Sequence, residues 1–371
     1  MQEKRLNILI TAASRRVALI RAFGRALRRL GLSGNVITTD LNCLSPGLYF
    51  GDRHYIAPLT TDPGYIPLIK SICKSENIGL LIPTIDDELP IFGRHRHEFE
   101  EMGVRVAVSG EQTGLVCNDK HASYVFFKER GIPFARTWRP DELDRKKIKY
   151  PLFLKPRGGR GSVGAHKIGN RRELDFFLEY VPDPVVQEFL AGTEYTIDIL
   201  ADFNGRIISV VPRERMLVRS GVSDRGRTLR HSGLIRLAID AAEALELRGA
   251  ANIQVKLNGD KAVIFEVNPR FSGGIPLTIE AGADFTGWLI EMCLGRGPEP
   301  CIGDFSDGLV MACYEESLFM LSDAIGETAA ADGKKKYFPR EIPEIKPEFL
   351  DRRKPNTLFF RPQTREMDFI Q

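Results

Sequence analysis

The chain has 371 residues, 43% hydrophobic and 27% charged, a size that predicts two or three compact units rather than one small domain. A formal net charge of +3 gives no argument for nucleic acid, and no apolar run reaches the length that spans a bilayer. The polar lead MQEKRLNILI lacks a signal-peptide core, so the expected location is cytoplasmic.

An apolar run at 6–11 reads as a buried strand, followed by helical spacing over 15–30 and a strand at 35–39 that ends at Asp40. The alternation continues through helix 65–75, strand 79–83, helix 89–102 and strand 104–108. This order predicts a small parallel α/β domain over residues 1–111. Its first βα turn, Thr11-Ala12-Ala13-Ser14, lacks the G-x-G-x-x-G of a dinucleotide fold, which disfavours a nicotinamide role. Asp86, Asp87 and Glu88 follow the third strand, and the expectation is that they cap the next helix rather than meet a ligand.

Asn118-Asp119-Lys120 opens a helix at 121–130. Lys120 opposes the helix dipole there, and either a functional or a merely exposed lysine fits that position. A strand at 150–156 (YPLFLKP) carries Lys155 among apolar residues, and the run 157–164 (RGGRGSVG) follows it. Because 165–168 returns as a strand rather than a helix, the glycines predict a flexible flap over nucleotide phosphates. In such a flap Gly159, Gly161, Ser162 and Gly164 leave backbone N–H groups accessible, and Lys155 adds a point charge. No GxxxxGK[ST] occurs, which removes the P-loop NTPases. Glu188 and Glu194 flank a linker between subdomains, where they either hold adenine and ribose or are surface acids. Residues 213–230 read as a loop whose six arginines (213, 215, 219, 225, 227 and 230) suit a mobile segment that grips an acidic substrate or a triphosphate. The six cysteines lie far apart with no CxxC pair, which disfavours structural zinc.

The stretch 252–270, NIQVKLNGDKAVIFEVNPR, carries the densest chemistry. Asn258-Gly259 between alternating apolar residues signals a hairpin. Glu266 and Asn268 leave one face of the second strand, and Gln254 on the first can join them. Three oxygen-bearing side chains on one face suit Mg²⁺, and Arg270 adds a fork for phosphate; an ordinary solvated hairpin face is the alternative. A symmetric two-residue loop would put Gln254 on the wrong face, so a shared site predicts an odd loop, 258–260, with a bulge. Beyond it, a turn at 271–274 leads to a helix at 276–283, and the text after 320 reads as a tail of low order.

Taken in order, the flap with its strand lysine, the Q-E-F-L-x-G-x-E linker and the Q…E-x-N-P-R hairpin resemble the ATP-grasp superfamily. The likeness spans residues 1–315 and points to the ATP-binding half of the carbamoyl-phosphate synthase large chain and to related stand-alone carboxylate–amine ligases. It implies an α/β (α+β) fold: a pre-ATP-grasp domain at 1–111, a lid subdomain at 112–190, an antiparallel-sheet subdomain at 191–320 and a tail at 321–371. It also implies ATP and one or two Mg²⁺ ions, with Mn²⁺ an acceptable substitute. On that likeness Lys120 and Lys155 contact the phosphates and 158–164 forms the flap. Glu188 and the Leu190 backbone hold adenine, Glu194 the ribose, and Gln254, Glu266 and Asn268 the metal. Arg270, with Lys155, stabilises the transferred phosphoryl group. The implied partners are small-molecule carboxylate and amine substrates, not nucleic acid or membrane, and a homodimer is allowed. A single E-x-N-P-R copy argues against carbamoyl-phosphate synthesis itself. A kinase-like phosphotransferase and a regulatory nucleotide binder are the alternatives, the latter disfavoured by the complete metal set.

Overall fold

The computed structural model describes residues 5–159, 161, 163–219 and 221–320. Ser162 and the tail at 321–371 lie outside the described residues.

The first domain is a parallel sheet built from β1 (Asn7–Ile10), β2 (Val36–Asp40), β3 (Arg53–Ile56), β4 (Ile78–Ile82) and β5 (Arg105–Val106). Helices α1 (Val17–Arg29), α2 (Tyr65–Ser75) and α3 (Leu89–Glu101) connect them. β1 is fully buried, and after Asn7, whose side chain is hydrogen-bonded, it is apolar, as a strand covered on both faces requires. α1 packs through Leu19, Ile20, Phe23, Ala26 and Leu27 on one stripe. The strand order β3-β2-β1-β4-β5 reverses direction between β1 and β4. That reversal opens a crevice at the carboxyl ends of those two strands. β3 escapes sequence reading because RHYI is a half-exposed edge strand with no apolar run.

After α4 (Glu111–Asn118) and α5 (Lys120–Glu129) comes a four-stranded antiparallel sheet: β6 (Thr137–Trp138), β7 (Leu152–Pro156), β8 (His166–Ile168) and β9 (Pro184–Glu188), with α6 (Arg171–Tyr180) against it. Its strand order is β6-β9-β7-β8. α4 and α5 do not share that sheet's core. Cys117, Phe127, Phe134 and Ala135 pack instead with the apolar face of the third sheet.

The third sheet, order β14-β13-β10-β11-β12-β15, is antiparallel. It comprises β10 (Thr193–Ala201), β11 (Ile207–Arg219), β12 (Val222–Thr228), β13 (Gly249–Asn258), β14 (Lys261–Asn268) and β15 (Val310–Ala312). Helix α7 (Ser232–Ala244) covers it, while α8 (Ile275–Glu280) and α9 (Phe285–Cys293) join α1 in a core shared with the first domain.

Two expectations are corrected here. The stretch 213–230 is no loop: β11 and β12 pair across it, Arg213 opposite Thr228 and Glu214 opposite Arg227. Its charges hid the strands because their partners are remote, as with Arg213 and Asp198 on β10. The β13–β14 loop is also even, not odd. Asn258 pairs with Lys261 around Gly259-Asp260, and Gly259 holds the left-handed φ of 58° that the tight turn requires. The bulge lies further along: Val255 pairs with Ile264 but Gln254 with Glu266, leaving Phe265 extra. That one residue moves Glu266 onto the face of Gln254.

Candidate active site

The three sheets enclose a cavity of about 1260 Å³. The β13–β14 face forms one wall, where register sets Gln254 opposite Glu266 and Asn252 opposite Asn268, all four on the cavity. Asn268 Nδ2 donates to Glu266 Oε1 at 3.1 Å and to Asn252 Oδ1 at 3.3 Å, which fixes the amide's orientation. Among the described residues no group of three or more His, Cys, Asp or Glu could hold a metal ion. A cation here would therefore rest on one carboxylate and two amide oxygens, a donor set that fits a hard ion also bound by phosphate.

Facing this wall is the base of the flap. Lys155 on β7 is 6% exposed, with Nζ 5.7 Å from the Phe265 ring centroid. Burial pulls its pKa down to about 8, against the opposing pull of Glu266. Lys120 begins α5, and its Nζ donates to the carbonyl oxygens of Arg157, Gly158 and Gly159 at 3.2–3.3 Å. Burial lowers its pKa as well, with Glu266 and Asp86 acting in the other direction. Gly159, Gly161 and Gly164 have φ of 92°, 70° and 70°, a backbone path that side chains would strain.

The linker closes a third side. Gln187, Glu188, Phe189 and Leu190 line the cavity, and Glu188 Oε1 accepts from the Arg136 N–H at 2.8 Å. Glu194 stands 3.0 Å from Lys256 Nζ and 3.1 Å from Arg215 Nε, although the Arg215 N–H is not directed at it.

Arg270 reaches across to the first domain, where Nη2 donates to Asp86 Oδ2 at 2.7 Å. The capping expected of Asp86, Asp87 and Glu88 is not what these acids do, since α3 has no side-chain cap. A short 3-10 turn, Asp86–Glu88, precedes α3 and buries Asp86 and Glu88, while Asp87 stays exposed. Glu88 is 1% exposed, accepts from the Tyr65 hydroxyl and the Thr84 N–H, and is raised by burial to about 7.

Sequence reading also passed over Arg16 and gave Arg213 the wrong setting. Arg16 donates to Thr84 O at 3.1 Å; burial and the like charge of Arg270 lower it to about 9, so it stays protonated at neutral pH. Arg213, 1% exposed, forks onto Asp198 (2.7 and 3.1 Å) and reaches Ser272 Oγ at 2.9 Å. Arg213, Arg215 and Arg219 line the cavity, whereas Arg227 pairs with Glu214 and Arg230 binds the carbonyls of Gly303 and Phe305. The arginine-rich stretch is thus divided between the cavity and the sheet's far side. Three guanidinium nitrogens in the wall, Arg213 Nη1, Arg215 Nε and Arg270 Nε, are buried without an acceptor among the described residues.

A parallel α/β domain is followed by two antiparallel sheets that close on this cavity, and part of the chain matches an ATP-grasp domain. Residues 180–316 match the family model described as "ATP-grasp in the biosynthetic pathway with Ter operon", and residues 8–107 match "PylC-like, N-terminal domain". In sequence the chain is similar to the carbamoyl phosphate synthase arginine-specific large chain of Bacillus subtilis (strain 168), 26% identical over 269 residues. That match covers 68% of this chain and 25% of the relative, so the chain spans about a quarter of the length of the curated relatives it matches. Among solved structures it resembles the biotin carboxylase domain of Hydrogenobacter thermophilus 2-oxoglutarate carboxylase, which was solved with MgADP, ADP and bicarbonate. The TM-score is 0.64 at 18% identity, over 82% of this chain and 73% of that one. It also resembles an L-amino acid ligase from Bacillus licheniformis, with TM-score 0.62 at 18% identity over 80% and 76% of the two chains. At such identities the likeness establishes the fold. No helix among the described residues is long and apolar enough to cross a membrane.

Proposed function

We propose that this chain is an ATP- and Mg²⁺-dependent ligase that activates a carboxylate as an acyl phosphate and passes the acyl group to an amine or a similar nucleophile. The observation that carries the reading is convergence: Lys120, Lys155, Gln254, Glu266, Asn268 and Arg270, drawn from separate elements, all face one cavity.

In this reading Lys120 and Lys155 hold the triphosphate beneath the flap, with backbone N–H groups near Gly159, Gly161 and Gly164 approaching phosphate oxygens. Glu188 and the Leu190 backbone hold adenine, and Glu194 the ribose hydroxyls. Gln254, Glu266 and Asn268 would hold Mg²⁺, which supplies neutralisation of phosphate charge when bound. A carboxylate oxygen attacks the γ-phosphorus while the bond to the β,γ-bridging oxygen breaks, and ADP leaves with the electron pair. Arg270, held by Asp86, meets the charge that grows on the transferred group. The amine then attacks the acyl carbon, the carbon–oxygen bond to phosphate breaks, and the ammonium proton is lost to solvent. No protein nucleophile is needed, in keeping with a cavity wall rich in cations. The L-amino acid ligase likeness favours amine acceptors over other nucleophiles.

The test is ADP release with Mg·ATP against pooled carboxylates and amines, beside Glu266→Ala. ADP formation that needs both partners and disappears in the variant is the expected result. ADP with a stable phosphorylated acid and no need for an amine would instead make the chain a phosphotransferase. No ADP from any pool, with Mg·ATP bound, would count against turnover altogether.

A further inference from the structure

The nucleotide assignment uses only part of the cavity. Beyond Arg270 the wall continues through Ser14, Arg15 and Arg16 at the start of α1, and through Ser272, Gly273 and Gly274 before α8. This end lies at the carboxyl ends of β1 and β4, where the strand order reverses.

α1 starts in an unfavourable way. Its N-cap is Arg16, it has no side-chain cap, and its first turn holds no acidic residue. Arg15 and Arg16 therefore sit at the positive end of a 13-residue helix, where electrostatics favours anions. An independent feature shares the wall: Arg213 is 1% exposed, yet its Nη1 has no acceptor among the described residues. Gly274 leaves room for that nitrogen, since a Cβ at 274 would overlap Arg213 Nη1. Asp198 pairs with Arg213 and Asp86 with Arg270; Arg16 stands against the like charge of Arg270, which Asp86 opposes, and Asp40 Oδ2 accepts the Ser14 N–H at 2.7 Å.

We propose that this end of the cavity is a second anion subsite, built from the α1 start with Arg15, Arg16 and Arg213. It selects a carboxylate substrate that carries a further anionic group, a second carboxylate or a phosphate ester. The inference rests on the ligase reading for its substrate but has its own binding test. Asp198 and Ser272 engage Nε and Nη2 of Arg213 and leave Nη1 as its one unpaired donor among the described residues, so the forks that match the paired oxygens of such an anion are those of Arg15 and Arg16.

Full-length protein is assayed for ADP release with Mg·ATP and pooled amino acids, using succinate against succinamate and 3-phosphoglycerate against glycerate. The anion-bearing acid of one pair is expected to show a KM at least tenfold lower than its neutral analogue, and which pair responds distinguishes carboxylate from phosphate. Arg15→Gln, an exposed substitution, and Arg16→Gln are expected to raise that KM about tenfold to hundredfold. The Kd for Mg·ATP should stay within twofold. A parallel thermal-shift series without nucleotide separates the two ideas, because the preferred dianion should stabilise the wild type more than Arg15→Gln. If no acid releases ADP but the dianion still stabilises only the wild type, the ligase reading fails and the subsite stands. Equal KM values across each pair, or equal stabilisation of wild type and variant, would overturn the subsite.

Discussion

Lys155 offers a direct test of how this site trades stability for charge. Its side chain is 6% exposed on β7, and burial draws its pKa from 10.5 to about 8. At about 1.36 kcal/mol per pH unit, that depression corresponds to about 3 kcal/mol by which the folded protein disfavours the charged amine. Between about 8 and 10.5 the unfolded chain binds the proton more tightly, so the penalty is full below pH 8, shrinks through that window and is gone above it. Lys155→Met keeps the length of the side chain and removes the charge. Glu266 then loses one counter-charge but keeps Lys120 nearby, which reduces the expected gain to about 1–3 kcal/mol. A rise in Tm of about 1–4 °C at pH 7 follows, measured calorimetrically without nucleotide. The gap should narrow at pH 10, and added Mg·ATP should no longer stabilise the variant. A variant less stable than the wild type, or a gap that ignores pH, would refute the argument that the lysine is held at a cost.

The same lysine predicts how binding responds to pH: phosphate charge raises its pKa, so Mg·ATP binding should take up a proton above pH 8 and weaken up to about tenfold per further unit. Isothermal titration in buffers of different ionisation enthalpy reads that proton directly. Asp86→Asn should release Arg270 from its 2.7 Å partner and lower kcat about tenfold or more, with the Kd for Mg·ATP little changed. A loss confined to nucleotide affinity would show that Asp86 does not position Arg270 for the chemical step. Gly274→Ala should destabilise by about 1–3 kcal/mol, read by chemical denaturation, because the new Cβ overlaps a guanidinium that Asp198 and Ser272 hold in place.

Most of the first domain was legible because β1 and β4 are largely apolar and buried and α1 carries one apolar stripe, so period and type coincide with burial there, whereas the half-exposed β3 was not. The hairpin around Asn258-Gly259 was legible too, but not its register. A bulge at Phe265 depends on how β14 meets β13, and nothing local to Phe265 marks it. β11 and β12 failed for a different reason. Arg213, Glu214, Arg215 and Arg227 break the apolar alternation that marks a strand; Arg213 and Arg215 find Asp198 and Glu194 on the neighbouring strand, and Glu214 and Arg227 find each other across the β11–β12 pair. Asp86 was misread because capping is decided by neighbours in sequence, whereas its partner Arg270 comes from another domain.

That domain crossing bears on how the cavity can hold so many cations at once. Lys155, Arg16 and Arg215 each have a lowered pKa with burial as the leading cause, and in each a neighbouring cation adds to the effect. Glu266, Glu194 and Asp86 oppose it without cancelling it. The wall therefore holds repulsion that a polyanion would relieve, which makes binding favourable on charge alone and most sensitive where the charges are driest. Lys120 sets the order of events in this scheme. All three of its N–H donors can be accounted for by flap carbonyls, so a phosphate that engages Nζ must displace at least one of them. Binding at Lys120 and movement of the flap base are then one event, and a Lys120→Arg variant, whose rigid fork cannot mimic three donors on one nitrogen, should slow nucleotide association more than it weakens the final complex. Stopped-flow binding with a fluorescent ATP analogue separates the two, and an unchanged association rate would break the link between Lys120 and the flap.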